Sequence, residues 1–169
     1  MQNILAIDPG NLASAWVLME RDTMKPIRFA KEDNLEARQS VLDICTTYTG
    51  IEVAIEMIAS YGMSVGREVF DTCVEIGRFE QIAETWGAEV SRIYRWEEKI
   101  RICRSRRAND ATIRQALADR FAYGTPNFGK GSKQSPGWFY GFRADIWQAY
   151  AVGVTYLDKM REQKEAFSR

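Results

Sequence analysis

The chain has 169 residues, 46% hydrophobic and 27% charged, the balance of a soluble globular protein and not of a disordered one. No apolar run approaches the ~20 residues of a membrane span. The opening MQNILAID is too short in apolar residues and too poor in basic ones for a signal peptide, so a cytoplasmic address and no membrane partner are expected. There is no histidine, which excludes a Ser-His-Asp triad, a Cys-His pair, a histidine-ligated zinc and an imidazole general base. Any chemistry must come from carboxylates, Lys, Ser/Thr, Tyr or a metal.

Cys45, Cys73 and Cys103 lie far apart and form no CxxC pair, so each is expected to pack as a small apolar residue. Net charge is zero, but the charges are separated. Residues 1–91 carry 7 basic and 15 acidic side chains, and residues 92–143 carry 12 basic and 4 acidic. Arg92, Arg95, Lys99, Arg101, Arg104, Arg106 and Arg107 crowd the segment 92–107. Such asymmetry points to a polyanion partner; the alternative is a solvated face paired with the acidic N-terminal part.

In chain order, Asn3–Asp8 is a short apolar run ending in an acid, the pattern of a buried central strand. Pro9-Gly10-Asn11 turns the chain into an antiparallel second strand over 12–19, and Pro26 to Ala30 is a weaker third. Residues 35–48 space Leu35, Val41, Leu42 and Cys45 near helical period, with Asp33 or Asn34 as N-cap and Gly50 as stop. Residues 51–58 form a fourth strand. Residues 64–86 read as a long amphipathic helix capped by Ser64, with Val65, Val69, Cys73, Ile76, Phe79, Ile82, Ala83 and Trp86 on one face. Residues 88–94 form a fifth strand, and Asn109 or Asp110 opens a helix through about Phe121. The glycine-rich stretch 123–141 is a long mobile loop, and a last helix runs from about Arg143 to the mid-160s. The expected order β-β-β-α-β-α-β-α-α is an α/β domain over residues 1–169, a mixed five-stranded sheet flanked by helices.

Three acids draw attention. Asp8 ends the first strand, Glu56 lies near the end of the fourth, and Asp145 opens the last helix. By the two-residue strand period, both strand carboxylates face one side if the two strands are neighbours. Three carboxylates from two strands and a helix make an oxygen-ligand site for Mg²⁺ or Mn²⁺. Taken singly, an Asp at a strand end is a turn-former and Asp145 a helix cap.

Ile4-Leu5-Ala6-Ile7-Asp8-Pro9-Gly10-Asn11 resembles the opening strand of the RuvC-like Holliday junction resolvases, which have the ribonuclease H-like fold. Val53-Ala54-Ile55-Glu56 resembles their second acidic strand. Asn109-Asp110-Ala111-Thr112-Ile113-Arg114 is similar to the start of their penultimate helix, and the segment Arg143–Val152 to their C-terminal acidic helix. The blocks occur in the family's order. Ile76-Gly77-Arg78-Phe79-Glu80-Gln81 is most similar to the phage-borne branch.

The resemblance implies a homodimeric, structure-specific endodeoxyribonuclease that hydrolyses phosphodiesters in four-way junctions, flaps and forks, in a bacterial host cytoplasm. It implies two divalent ions, Mg²⁺ or Mn²⁺, at Asp8, Glu56 and Asp145. Family members commonly carry two acids three residues apart on the last helix; here Gln148 holds the second position and is expected to face the site beside Asp145. Arg101, Arg104, Arg106, Arg107, Lys130, Lys133 and Arg143 are the candidate DNA contacts. Trp138, Phe139, Tyr140 and Phe142 either stack at the branch or anchor the loop in the core. The helix over 64–86 is the candidate dimer interface. Three other readings stay open: a non-catalytic branched-DNA-binding protein on the same fold, a nuclease acting on RNA, and an ATPase-type member of the wider fold group.

Overall fold

The computed structural model describes residues 2–60, 62 and 64–167; Met1, Tyr61, Met63, Ser168 and Arg169 of the expected domain lie outside the described residues. Five strands form one sheet. They are β1 (Asn3–Asp8), β2 (Ala13–Glu20), β3 (Pro26–Asp33), β4 (Glu52–Met57) and β5 (Glu89–Tyr94), in the order β3-β2-β1-β4-β5. The tight turn after Asp8 makes β1 and β2 antiparallel, and β3 returns antiparallel on β2. β4 and β5 run parallel to their neighbours, which requires the helical crossovers α1 (Asn34–Thr47) and α2 (Arg67–Thr85). Then follow α3 (Arg95–Cys103), α4 (Asp110–Phe121) and α5 (Ile146–Phe167).

Alternation along the central strands divides the core into two layers. Leu5, Ile7, Leu18, Val53 and Ile55 face α1 and α2, meeting Val41, Ile44, Ile76, Phe79 and Ala83. Ile4, Ala6, Val17, Met19 and Ala54 face α5, meeting Ala149, Tyr150, Val152 and Val154. Strands buried on both faces read as continuous apolar runs, as β1 does. Gly153 sets how closely α5 approaches: a Cβ there falls 2.4 Å from Met19 Sδ and 3.0 Å from Ala6 Cβ.

The mixed five-stranded sheet is as the sequence indicates, with several differences at the elements. β3 extends to Asp33; its polar end is an outer strand that needs no apolar run. Asp33 is the N-cap of α1, its Oδ1 accepting from Leu35 N at 2.9 Å and Glu36 N at 3.1 Å. Leu35 itself is exposed. Helix α2 begins at Arg67 behind Gly66, which offers no side-chain cap, so Ser64 does not start it. Its inward face is Thr72, Glu75, Ile76, Phe79 and Ala83, while Cys73 and Trp86 point to solvent. Glu75 is accommodated there by Arg38 of α1 at 2.6 Å. Cys45 is buried, which pushes its thiol up to about 11, and Cys103 is half-buried.

Helix α3 is an addition to the expected order, lying inside the basic segment. It follows β5 with no Gly or Pro between them, and Glu97 marks its start by accepting from Tyr94 N at 2.9 Å. The loop over 123–141 is tied down by its end. Phe139 and Phe142 are buried in the α5-side core, Phe139 N donates to Gly129 O at 3.1 Å, and Gly137 N to Lys130 O at 2.8 Å. No described helix is long and apolar enough to cross a membrane.

Candidate active site

β1 and β4 pair in parallel with Ile4 opposite Glu52 and Ile7 opposite Ile55. One step further, Asp8 and Glu56 stand side by side at the C-terminal edge of the two central strands. The even-numbered positions of both strands face α5, so both carboxylates share that side. A hydrogen bond joins the two carboxyls. Burial holds the Asp8 carboxyl well above its ordinary value; next come the charge of Glu56, the hydrogen bond that Asp8 donates to it, and the charges of Asp145 and Glu98. Asp8 thus tends to keep its proton where a second anion beside Glu56 would be repelled.

The turn that presents Asp8 is fixed by a buried polar network. Gly10 N donates to Ser14 Oγ at 3.2 Å, Ser14 Oγ to Asn34 Oδ1 at 2.7 Å, and Asn34 Nδ2 to Gly10 O at 2.9 Å. Gly10 is required: a Cβ would sit 2.3 Å from Ala13 O. Asn34 therefore serves this turn, leaving Asp33 to cap α1.

Asp145 lies one residue before α5. Its carbonyl accepts from Ala149 N at 2.9 Å, and Ala144 before it takes a left-handed φ of 40°. Its carboxylate is paired with Lys31 of β3. Gln148 comes one turn later, where Oε1 accepts from Arg95 Nη1 at 2.7 Å.

Arg95 and Glu98 lie one turn apart on α3; the sequence reading took Arg95 only as one cation of the basic segment and missed Glu98. Arg95 donates to Glu98 Oε2, to Gln148 Oε1 and, through Nη2, to Asp110 at the start of α4. One guanidinium thus joins α3, α4 and α5. Glu98 is 0% exposed, and its Oε1 has no hydrogen-bond partner. Burial pushes its carboxyl well above the ordinary range and Glu56 pushes it further, against the pull of Arg95. The only sequence signal was the i,i+3 spacing of Arg95 and Glu98, which carries meaning only once the segment is known to be helical.

Asp8, Glu56, Asp145 and Glu98 thus reach one edge of the sheet from four elements, with electrostatic coupling between them. All their donors are carboxylate oxygens, the chemistry that Mg²⁺ and Mn²⁺ require. The orphan oxygen of Glu98 is a buried acceptor that a cation would satisfy. The side chains are not preassembled around an ion: among the described residues no group of three acidic, histidine or cysteine side chains encloses one. Lys31 holds Asp145 and Arg95 holds Glu98.

The cationic candidates divide by environment. Arg104, Arg106, Arg107, Lys133 and Arg143 are exposed, and Lys130 is half-buried. Arg101 is engaged with Glu162 of α5. Beside the carboxylates, Arg95, Trp96, Lys99 and Arg106 line an open cleft of about 450 Å³; Trp96, 44% exposed, was not among the expected contacts. Of the four loop aromatics, only Tyr140 is an exposed ring. Trp138 stacks on Phe121 with centroids 5.6 Å apart and donates to Tyr150 Oη at 3.1 Å. Trp138, Phe139 and Phe142 are therefore anchors of the loop, not groups free to stack on bases.

The sequence matches no family model and no curated protein. The fold does match solved structures. Thermus thermophilus RuvC superposes with a TM-score of 0.71 at 13% identity, covering 96% of this chain and 97% of that one. T. thermophilus RuvC in complex with a Holliday junction substrate gives a TM-score of 0.69 at 14% identity over 96% of both chains. The protein has the ribonuclease H-like fold. Within that class its architecture is that of RuvC, over nearly the whole length of both chains.

Proposed function

We propose that this protein is a divalent-metal-dependent endodeoxyribonuclease that cuts Holliday junctions and related branched DNA as a homodimer, a resolvase of the phage-borne type. The observation that carries the reading is the convergence of Asp8, Glu56, Asp145 and Glu98 at one sheet edge. They lie beside a cationic cleft, on a fold shared with a junction-bound RuvC.

In this reading Asp8, Glu56 and Asp145 hold the ions, Mg²⁺ or Mn²⁺, whose chemistry is stabilisation of charge on the phosphate and activation of water. Asp8 gives up its proton as the site is charged. Lys31 releases Asp145. Arg104, Arg106 and Arg107, together with the more distant Lys130, Lys133 and Arg143, contact phosphates without reading sequence. Trp96 and Tyr140 are among the exposed rings available to an unpaired base. Two symmetric cuts call for two copies, and the outer face of α2, with Phe70 61% and Val74 54% exposed, is the apolar surface on which a second copy is placed.

The test is to incubate the protein with labelled four-way, flap, linear duplex and RNA–DNA hybrid substrates in Mg²⁺, Mn²⁺ or EDTA. Cleavage of the branched DNA with a divalent ion, lost in EDTA, is the expected result. Preference for the hybrid assigns the protein to RNA. Binding of the junction with no cleavage in either metal assigns it to the non-catalytic class.

A further inference from the structure

Glu98 has no surface in contact with solvent, and buried glutamates in folded proteins have their oxygens paired. Only half of this one is paired. Oε2 bonds to Arg95, while Oε1 has no partner and lies in the field of Glu56 and Asp8. Arg95 does not fully neutralise it, because the same guanidinium also serves Gln148 at 2.7 Å and Asp110. A purely structural ion pair gains nothing from standing against two further carboxylates; their repulsion only weakens it. A carboxylate that is to hold a cation needs that position. Gln148, one turn beyond Asp145, sits on the same guanidinium as Glu98, so Glu98 brings a charge next to the place where α5 brings none.

We propose that Glu98 is the fourth carboxylate of the cation site, and that Arg95 holds its place until a divalent ion binds. The inference rests on the metal-dependent reading given above. Lys31 and Arg95 now offset two of the four carboxylate charges. When cations enter, Lys31 lets go of Asp145, and Arg95 keeps the bonds that it already has to Gln148 and the exposed Asp110. The site is thereby latched in a low-charge form and opens only for a ligand of higher charge.

The experiment titrates the metal-free protein with Mn²⁺ and reads bound Mn²⁺ by electron paramagnetic resonance together with the Mn²⁺-induced rise in Tm. Asp8→Asn serves as the control for the site. Glu98→Gln keeps the shape and removes the charge; it should weaken Mn²⁺ binding at least tenfold and shrink the Tm rise, without lowering the Tm of the metal-free protein. Arg95→Gln frees Glu98 from its counter-ion; it should enlarge the Mn²⁺-induced Tm rise above that of the wild type, and this arm decides if Glu98→Gln fails to fold. Wild-type Mn²⁺ affinity in Glu98→Gln, with binding lost in Asp8→Asn, overturns the role of Glu98 and leaves the metal reading standing. An Mn²⁺ response in Arg95→Gln no larger than in the wild type overturns the place-holding role of Arg95. No Mn²⁺ binding by the wild type overturns both this proposal and the metal reading.

Discussion

Asp8 and Glu56 meet across two parallel strands with a hydrogen bond between their carboxyls. Such a pair is unfavourable when both groups are ionised, and Asp145 and Glu98 add to the repulsion. The Asp8 and Glu98 carboxyls stand well above their ordinary values of 3.8 and 4.5. The folded protein therefore holds protons that the unfolded chain releases, and its stability falls as pH rises from the ordinary carboxyl range through the folded-state values. Asp8→Asn should raise the metal-free Tm at neutral pH, at about 2–4 °C per kcal/mol for a chain of this size. It should also flatten the decline of Tm with pH. Calorimetric scans from acid to neutral pH check both.

Asp8→Asn, Glu56→Gln and Asp145→Asn should each lower cleavage by roughly 100-fold or more, since a lost ligand removes several kcal/mol of charge stabilisation. Junction binding should be retained, because the exposed cations are untouched. Gln148→Ala should cost less than Asp145→Asn: its amide brings no charge and accepts from Arg95. Single-turnover cleavage alongside gel-shift binding separates the two effects. Near-normal cleavage by any one carboxylate variant removes that residue from the site.

Junction affinity should fall steeply with salt, at a slope of about −0.9 per phosphate contact. Replacing Arg104, Arg106 and Arg107 together with Ala should flatten the slope by up to roughly three units. Arg101→Ala should change it less, because that guanidinium is engaged with Glu162. Fluorescence anisotropy across a salt series gives the slopes.

Phe139→Ala should destabilise the fold by about 3–5 kcal/mol. Its ring lies against Phe142 at 5.2 Å, Trp147 at 4.5 Å and Tyr150 at 5.3 Å. Tyr140→Ala, at an exposed ring two-fifths accessible (43%), should leave stability nearly unchanged. The urea midpoints of the two variants provide the comparison.

Phe70→Asp combined with Val74→Asp should convert a dimer to monomers by sedimentation without unfolding it, because both residues are exposed on α2. A wild-type protein that sediments as a monomer, free and DNA-bound, removes the interface.

The central strands were legible because both faces of β1 and β4 are buried, which writes continuous apolar runs into the sequence. Asp8 and Glu56 were legible for the same reason: each interrupts such a run at its end. α3 was not legible. It is a short, charged helix whose residues are fixed by partners on α4 and α5, such as Asp110, Gln148 and Glu162, and those contacts exist only after folding. Glu98 went unseen with it, since a glutamate in a basic, polar stretch reads as solvated until its burial is known. The outer face of α2 misled in another way. Cys73 and Trp86 follow helical spacing but lie off the stripe that faces the sheet, and apolarity alone does not distinguish a core face from a surface left open.

The close seat of α5 against Ala6 and Met19, which Gly153 permits, bears on the order of assembly. β1 and α5 lie at opposite ends of the described chain, so their contact closes a long loop and forms late on entropic grounds. Until then Asp8 is hydrated and titrates as an ordinary acid. The repulsion among the carboxylates is therefore incurred at the closing step, when α5 excludes water from the sheet edge. Relieving it with Asp8→Asn should slow unfolding more than it speeds folding if that docking follows the main barrier. The carboxylates gathered at that sheet edge thus shorten the lifetime of its closed state.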